Sequence, residues 1–153
     1  MPRFFKQDFE ANPFLEGADA SHIARSLRMK VGESLTVSDS KGKDFLCEIS
    51  NVTRERVELN IIEVTPSESE PDVKVTLCTS LLKGDKFESV IRHSVELGVS
   101  EIMPILSTNC VSRPDKKSLK SKEERWQKIA NEAAGQCGRG VLPEVFPTTE
   151  LKD

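Results

Sequence analysis

Between residues 83 and 99 the apolar positions fall three, four and eight apart, and on either side of that stretch they run together. Phe87, Val90, Ile91 and Val95 share one helical face. Val73 to Thr79 before it and Val99 to Leu106 after it read as strands. A strand, helix, strand unit of this length predicts a crossover between parallel neighbours. Asp85 followed by Glu88 has the form of a capping box, which predicts the helix start. Gly98 stands where a left-handed residue ends a helix.

Upstream the pattern changes. Residues 18–29 predict a short helix capped by Asp19, with Ile23, Ser26 and Leu27 on one face. After it the period is two: Leu35 and Val37, then Phe45, Cys47 and Ile49, then Val57, Leu59 and Ile61. Turns at residues 39–42 and at Arg54-Glu55 separate these runs. Three short antiparallel strands, with the helix and the apolar Phe4-Phe5 before them, predict a small closed or half-closed β-barrel. Residues 65–72, with two prolines, two serines and three acids, read as a linker. The boundary therefore divides a domain over 1–70 from one over 73–153. In the second, Ser121 and Glu124 predict another capping box, after which Trp126, Ile129, Ala130, Ala133 and Cys137 line a face as far as Gly138. Residues 142–146 predict a third strand. The expected class is α+β followed by α/β, the second part a parallel sheet with too few strands to bury both faces.

Composition changes this picture little. An apolar share of 37% with 31% charged residues is an ordinary globular balance, and no run of roughly 18 apolar residues suits a membrane span. The start of the chain lacks the long apolar core of a signal peptide, so a cytoplasmic protein is expected. Cys47, Cys78, Cys110 and Cys137 lie far apart, without metal or redox spacing, and are expected to be reduced, at least three of them packing residues. The net charge of −3 is uneven. Residues 1–72 hold nine Lys or Arg against fourteen acids, residues 73–153 thirteen against eleven, which leaves room for a local basic surface.

Common enzyme motifs are absent: no GxGxxG, no P-loop and no HExxH, and His22 and His93 do not form a metal cluster with a close carboxylate pair. The residues name no general base. Lys83-Gly84-Asp85-Lys86 sits at a strand end before a helix, where free amides attract anions and Lys83 and Lys86 add charge; a solvated turn is the plainer alternative. Arg139 follows a glycine helix end and either presents its charge to an anion or flanks a simple C-cap. Arg25 and Arg28, three apart, suit phosphate contact or a solvent face. Arg92 and His93 lie opposite Phe87, where a surface role is the default.

Taken together, Met1 to Phe5, His22 to Glu33, Lys83 to Lys86, Ser94 to Val99, Pro104, Arg125 to Ala130 and Gln136 to Arg139 with Pro143-Glu144 resemble, in order and spacing, the RsmE family of small-subunit ribosomal RNA uridine N3-methyltransferases of the knotted SPOUT superfamily. The resemblance implies a PUA-like β-barrel for RNA, a Rossmann-like catalytic domain with a trefoil knot, a homodimer, 16S rRNA or the small ribosomal subunit as partner, no membrane association, and S-adenosylmethionine as methyl donor. In that family a glycine-rich GPEGG segment and a later leucine- and arginine-rich segment build the knot and hold the donor. Neither occurs before Asp153, so the second domain is expected to be a truncated SPOUT domain without a donor-binding residue. The chain also has Ser21-His22, Arg92-His93 and Ser107-Thr108-Asn109 where the family has a histidine pair, a Gln-Lys pair and Ser-Glu-Arg, with Arg113 as a substitute arginine. The implied RNA contacts are Arg25, Arg28, Lys83, Lys86, Arg92, Arg113 and Arg139; Glu96 is expected to fix a helix end. The alternative reading is a catalytically inactive RNA-binding or ribosome-associated fragment.

Overall fold

The structure is a computed structural model that describes residues 1–111 and 113–151, and the chain divides into two compact units, Met1–Ser69 and Glu70–Asp153. The first begins with β1 (Arg3–Phe5), β2 (Phe14–Glu16) and α1 (Gly17–Ser21), which runs into a π-helical turn over His22–Leu27. β3 (Ser34–Ser38), β4 (Lys43–Val52) and β5 (Arg56–Pro66) follow. They form one sheet in the order β1-β3-β4-β5-β2, with β1 parallel to β3 and the other pairs antiparallel. The outer strands do not pair with each other, so the barrel is the half-closed one. Two register shifts between β4 and β5, at Leu46/Cys47 and Ile49/Asn51, curve it.

Alternation places the core of this unit. Leu35, Val37, Phe45, Cys47, Ile49, Val57 and Leu59 are buried, while Ile61 is half-buried. Phe9 and Leu15, in a stretch without clear periodicity, also join the core, Phe9 packing edge-on to Phe45 at 5.3 Å. The first helix differs from its prediction. Asp19 caps nothing, and the wider π turn, closed by Arg28 N–H donating to Ile23 O, buries Ile23 but leaves Leu27 40% exposed.

The second unit contains β6 (Thr76–Ser80), α2 (Lys86–Glu96), β7 (Glu101–Leu106), α3 (Lys116–Cys137), β8 (Glu144–Val145) and β9 (Thr149–Glu150). All its strands are parallel, β6 on one edge of β7 and the short β8 and β9 on the other. Crossovers that advance in one direction with right-handed sense put both helices on one face. They pack side by side, with Phe87 4.6 Å from Trp126 and Arg125 Nη2 donating to Glu88 at 2.9 Å.

Neither predicted capping box forms. Glu88 is held by Arg125 rather than reaching back, and Asp85 contributes only its backbone carbonyl, which accepts from Ser89 N–H at 3.1 Å. α3 starts five residues before Ser121, capped by Asp115 accepting from Ser118 N–H at 2.8 Å. The basic stretch before Ser121, with Arg113, Lys116, Lys117 and Lys120, is thus largely the first turns of α3 rather than a loop. Of the four cysteines, all free, only Cys47 is buried; Cys78 and Cys137 are exposed and Cys110 half-buried, so the expectation of at least three packing cysteines fails. Predicted linker residues also take part in structure: β5 extends through Pro66, and Glu70 is bound to Arg139.

Candidate functional site

Parallel strands place their following loops at one edge of the sheet, the usual ligand edge of an α/β fold. Here the loop after β6 carries Lys83 and leads to Lys86 at the start of α2, while the loop after β7 carries Arg113 and leads into α3. The two loops are tied together. Leu81 N–H donates to Ile105 O at 3.0 Å, and the Cys110 thiol lies 3.7 Å from Leu81 O and 3.9 Å from Ile105 O. Gly84 is left-handed at φ +65°, a turn with open space around it. Arg113 folds over its own loop, donating to Thr108 O at 2.7 Å and Ser107 O at 3.3 Å. The Ser107 hydroxyl, 3.3 Å from Cys110 Sγ, is the main cause holding that thiol below the ordinary cysteine range, against its partial burial.

Between the loop after β6 and the two helices lies a hollow of about 170 Å³, lined by Leu81, Gly84, Phe87, Lys122, Arg125 and Trp126 among others. Lys83, Lys86 and Arg113 are therefore gathered at one edge of the second unit, exposed to solvent. Arg92 lies on the exposed side of α2. Arg25 and Arg28 belong to the first unit, both exposed, Arg28 in a left-handed conformation at φ 54°.

Arg139 is different. It is 3% exposed, its Nε and Nη2 donate to the Glu70 carboxylate, and its Nη1 donates to Val95 O and Val99 O. Gly140 N–H and Val141 N–H add bonds of 2.9 and 3.1 Å to the same carboxylate. Burial pushes the Glu70 carboxyl up, but the bonds and charge of Arg139 with the two amides outweigh it and hold it below its usual range. Arg139 is a structural anchor and not an anion contact. Nothing in the local sequence marks Glu70 as its partner, 69 residues away. Glu96 is exposed and forms no ion pair or side-chain hydrogen bond among the described residues, so it does not fix the helix end; Gly98 at φ +95° does, with Val99 N–H donating to Ser94 O.

Sequence reasoning missed Gln127. Its amide donates to Pro143 O at 2.8 Å and accepts from Val145 N–H at 2.8 Å, so one α3 side chain holds β8 in place. The signal was a lone glutamine at the edge of an apolar face.

A protein-family model described as an RNA methyltransferase domain matches residues 68–153. The chain belongs to the RNA methyltransferase family. A second model, an RNA methyltransferase PUA domain, matches residues 15–62. A relative named ribosomal RNA small subunit methyltransferase E from Bacillus subtilis is 35% identical over 152 residues, covering 95% of this chain and 59% of the relative. One of the same name from Synechocystis is 32% identical over 92% of this chain and 44% of its own length. A crystal structure of ribosomal RNA small subunit methyltransferase E from Neisseria gonorrhoeae, bound to S-adenosyl methionine, superposes with a TM-score of 0.86 at 29% identity, covering 97% of this chain and 62% of that one. The RsmE resemblance and the fold class, a PUA-like half-barrel followed by a parallel α/β domain, agree with these findings. The chain spans roughly half of the family members' length in these curated relatives.

Proposed function

We propose that this chain is part of an S-adenosylmethionine-dependent methyltransferase acting on a uridine N3 of 16S ribosomal RNA. Residues 1–70 serve as its RNA-binding domain and 73–153 as the first part of its SPOUT catalytic domain. The observation that carries this reading is the succession, in one chain, of a PUA match of the RNA methyltransferase type and an RNA methyltransferase match. By the same resemblance the whole protein works as a homodimer in the cytoplasm, on 16S rRNA or the small ribosomal subunit. No described helix is long and apolar enough to cross a membrane.

Methylation at N3 requires the nitrogen to lose its proton and to be held in line with the donor's methyl group, so positioning supplies much of the acceleration. A base within a stack is out of reach, and the target nucleotide must be single-stranded or flipped. Within this chain, Arg25 and Arg28 of the first unit and Lys83, Lys86, Arg92 and Arg113 of the second are the residues we assign to hold the RNA. The donor supplies the methyl group. The hollow beside Trp126, about 170 Å³, does not fit it, since small-molecule sites occupy roughly 300–1,000 Å³. By the family resemblance the donor is held by the glycine-rich and the leucine- and arginine-rich segments, which residues 1–153 do not include.

Two measurements test the reading. Incubation of small-subunit rRNA with the full-length protein and S-adenosylmethionine is expected to yield N3-methyluridine; a methyl on carbon or on a ribose oxygen would overturn it. Calorimetric titration of S-adenosylmethionine into the 153-residue chain is expected to show no saturable heat while the chain still binds RNA. One-site binding there would move the donor pocket into this chain.

A further inference from the structure

Several basic residues of the second unit are ion-paired. Lys74, before β6, is bound to Glu101, and Arg139, after α3, to Glu70; Arg125 and Lys128, deeper in α3, reach Glu88 and Glu132. At the carboxyl edge of the strands the situation is reversed. Lys83, Lys86, Lys116, Lys117, Lys120 and Lys122 are all exposed, and none has an ion pair among the described residues. The acids nearby are largely engaged elsewhere: Asp115 caps α3, Glu88 holds Arg125, and Glu123 accepts from Thr148 N–H at 2.7 Å. Asp85 and Glu124 remain exposed. Counting residues 83–86 and 113–122, seven basic side chains face two acids, a net of +5 in a chain of net −3.

The first turns of α3 also run against local helix preference. Lysines at the first two helical positions oppose the macrodipole, and Lys116 and Lys120, one turn apart, repel each other, each effect costing a few tenths of a kcal/mol. The Asp115 carboxylate at the N-cap offsets part of this cost, and no acid within the first turn adds to it. A charge cluster kept against local helix preference argues for a binding surface. The hollow lined by Gly84, Asp85, Lys122 and Arg125 shows that the start of α2 and this part of α3 adjoin, and Lys122 faces that hollow while Lys116, Lys117 and Lys120 lie together on another side of the helix.

We propose that Lys116, Lys117 and Lys120, which share one face of the first two turns of α3, form a phosphate-binding ridge along which the RNA backbone is neutralised. This rests on the rRNA methyltransferase reading. The lysines supply charge without base readout, so they orient the strand and raise affinity but do not choose the nucleotide. Lys116 to Lys120 spans about 6 Å of helix, enough to meet neighbouring phosphates of one strand.

The test is the salt dependence of binding to a small-subunit rRNA transcript, measured by fluorescence anisotropy for the parent chain and for K116Q/K117Q/K120Q. Each phosphate contact contributes about −0.7 to the slope of log K against log salt for single strands, so the variant's slope is expected to be shallower by about 2.1. Between about 50 and 200 mM salt the parent should then lose roughly 20-fold more affinity than the variant. Glutamine keeps helix propensity and the Asp115 cap is untouched, so unchanged circular dichroism accompanies the loss. The control is K74Q/K128Q, whose lysines are ion-paired, and it should leave the slope unaltered. RNA binding by the parent with an unchanged slope in the triple variant, or an equal per-lysine loss in the control, would overturn the ridge alone. Failure of the parent to bind RNA at all would overturn the methyltransferase reading with it.

Discussion

Replacing Glu70 by alanine should unfold the second unit preferentially. The substitution takes its carboxylate partner from the Arg139 guanidinium, 4% exposed in its side chain and also donating to the Val95 and Val99 carbonyls, and removes the acceptor that the Gly140 and Val141 amides share. Breaking a buried ion pair from one side costs about 3–5 kcal/mol. Because the Glu70 side chain is 22% exposed, water offsets part of this, and about 3 kcal/mol is the expected loss. Against a domain stability of roughly 5–15 kcal/mol, that is a large share. The assay is urea unfolding followed by the fluorescence of Trp126, the only tryptophan in the chain, buried in the second unit against Phe87. The midpoint should fall sharply in Glu70→Ala and less in Glu70→Gln, which keeps one acceptor oxygen for the amides. Pairing Glu70→Gln with Arg139→Met should recover part of the loss, since the double variant buries no lone charge. Acidification should act in the same sense. The Glu70 carboxyl titrates below its ordinary 4.5, so its contribution is present above the unfolded-state value and fades as pH falls through the folded one. If residues 65–72 were only a linker, Glu70→Ala would change stability by no more than about 0.5 kcal/mol, and that result would refute the anchor.

Further outcomes follow from other contacts. Asp115→Ala should cost about 1 kcal/mol of stability by urea unfolding and Ser121→Ala less than about 0.5, because the cap of α3 lies at Asp115; the opposite order would return the helix start to Ser121. A chromogenic disulfide should titrate three thiols in the folded protein, Cys78, Cys110 and Cys137, while Cys47, whose pKa burial pushes up to about 12, reacts only after unfolding. Four fast thiols would contradict the burial of Cys47. Gly98→Ala should destabilise by about 1–2 kcal/mol in the same urea assay, since φ is +95° and the added Cβ would stand 3.2 Å from Pro71 Cγ, whereas a neutral effect would argue against the left-handed helix end.

The alternating strands of the first unit, the apolar face of α2, the glycines that close both long helices and the parallel crossover were legible in the chain. Each is written in residues a few positions apart and depends on backbone periodicity alone. The cationic loops could be read as well, because charge clusters locally at Lys83, Lys86 and Arg113. What tertiary structure decided was which polar groups find which partners. Glu88 looked like a capping residue until packing of α2 on α3 brought Arg125 within 2.9 Å. Arg139 looked like an anion ligand until the fold brought it Glu70 and two carbonyls. The capping box at Ser121 lost to Asp115 because a helix extends to any earlier residue able to satisfy its first amides. A buried polar group must be satisfied wherever the chain supplies a partner, and sequence distance sets no limit on that choice.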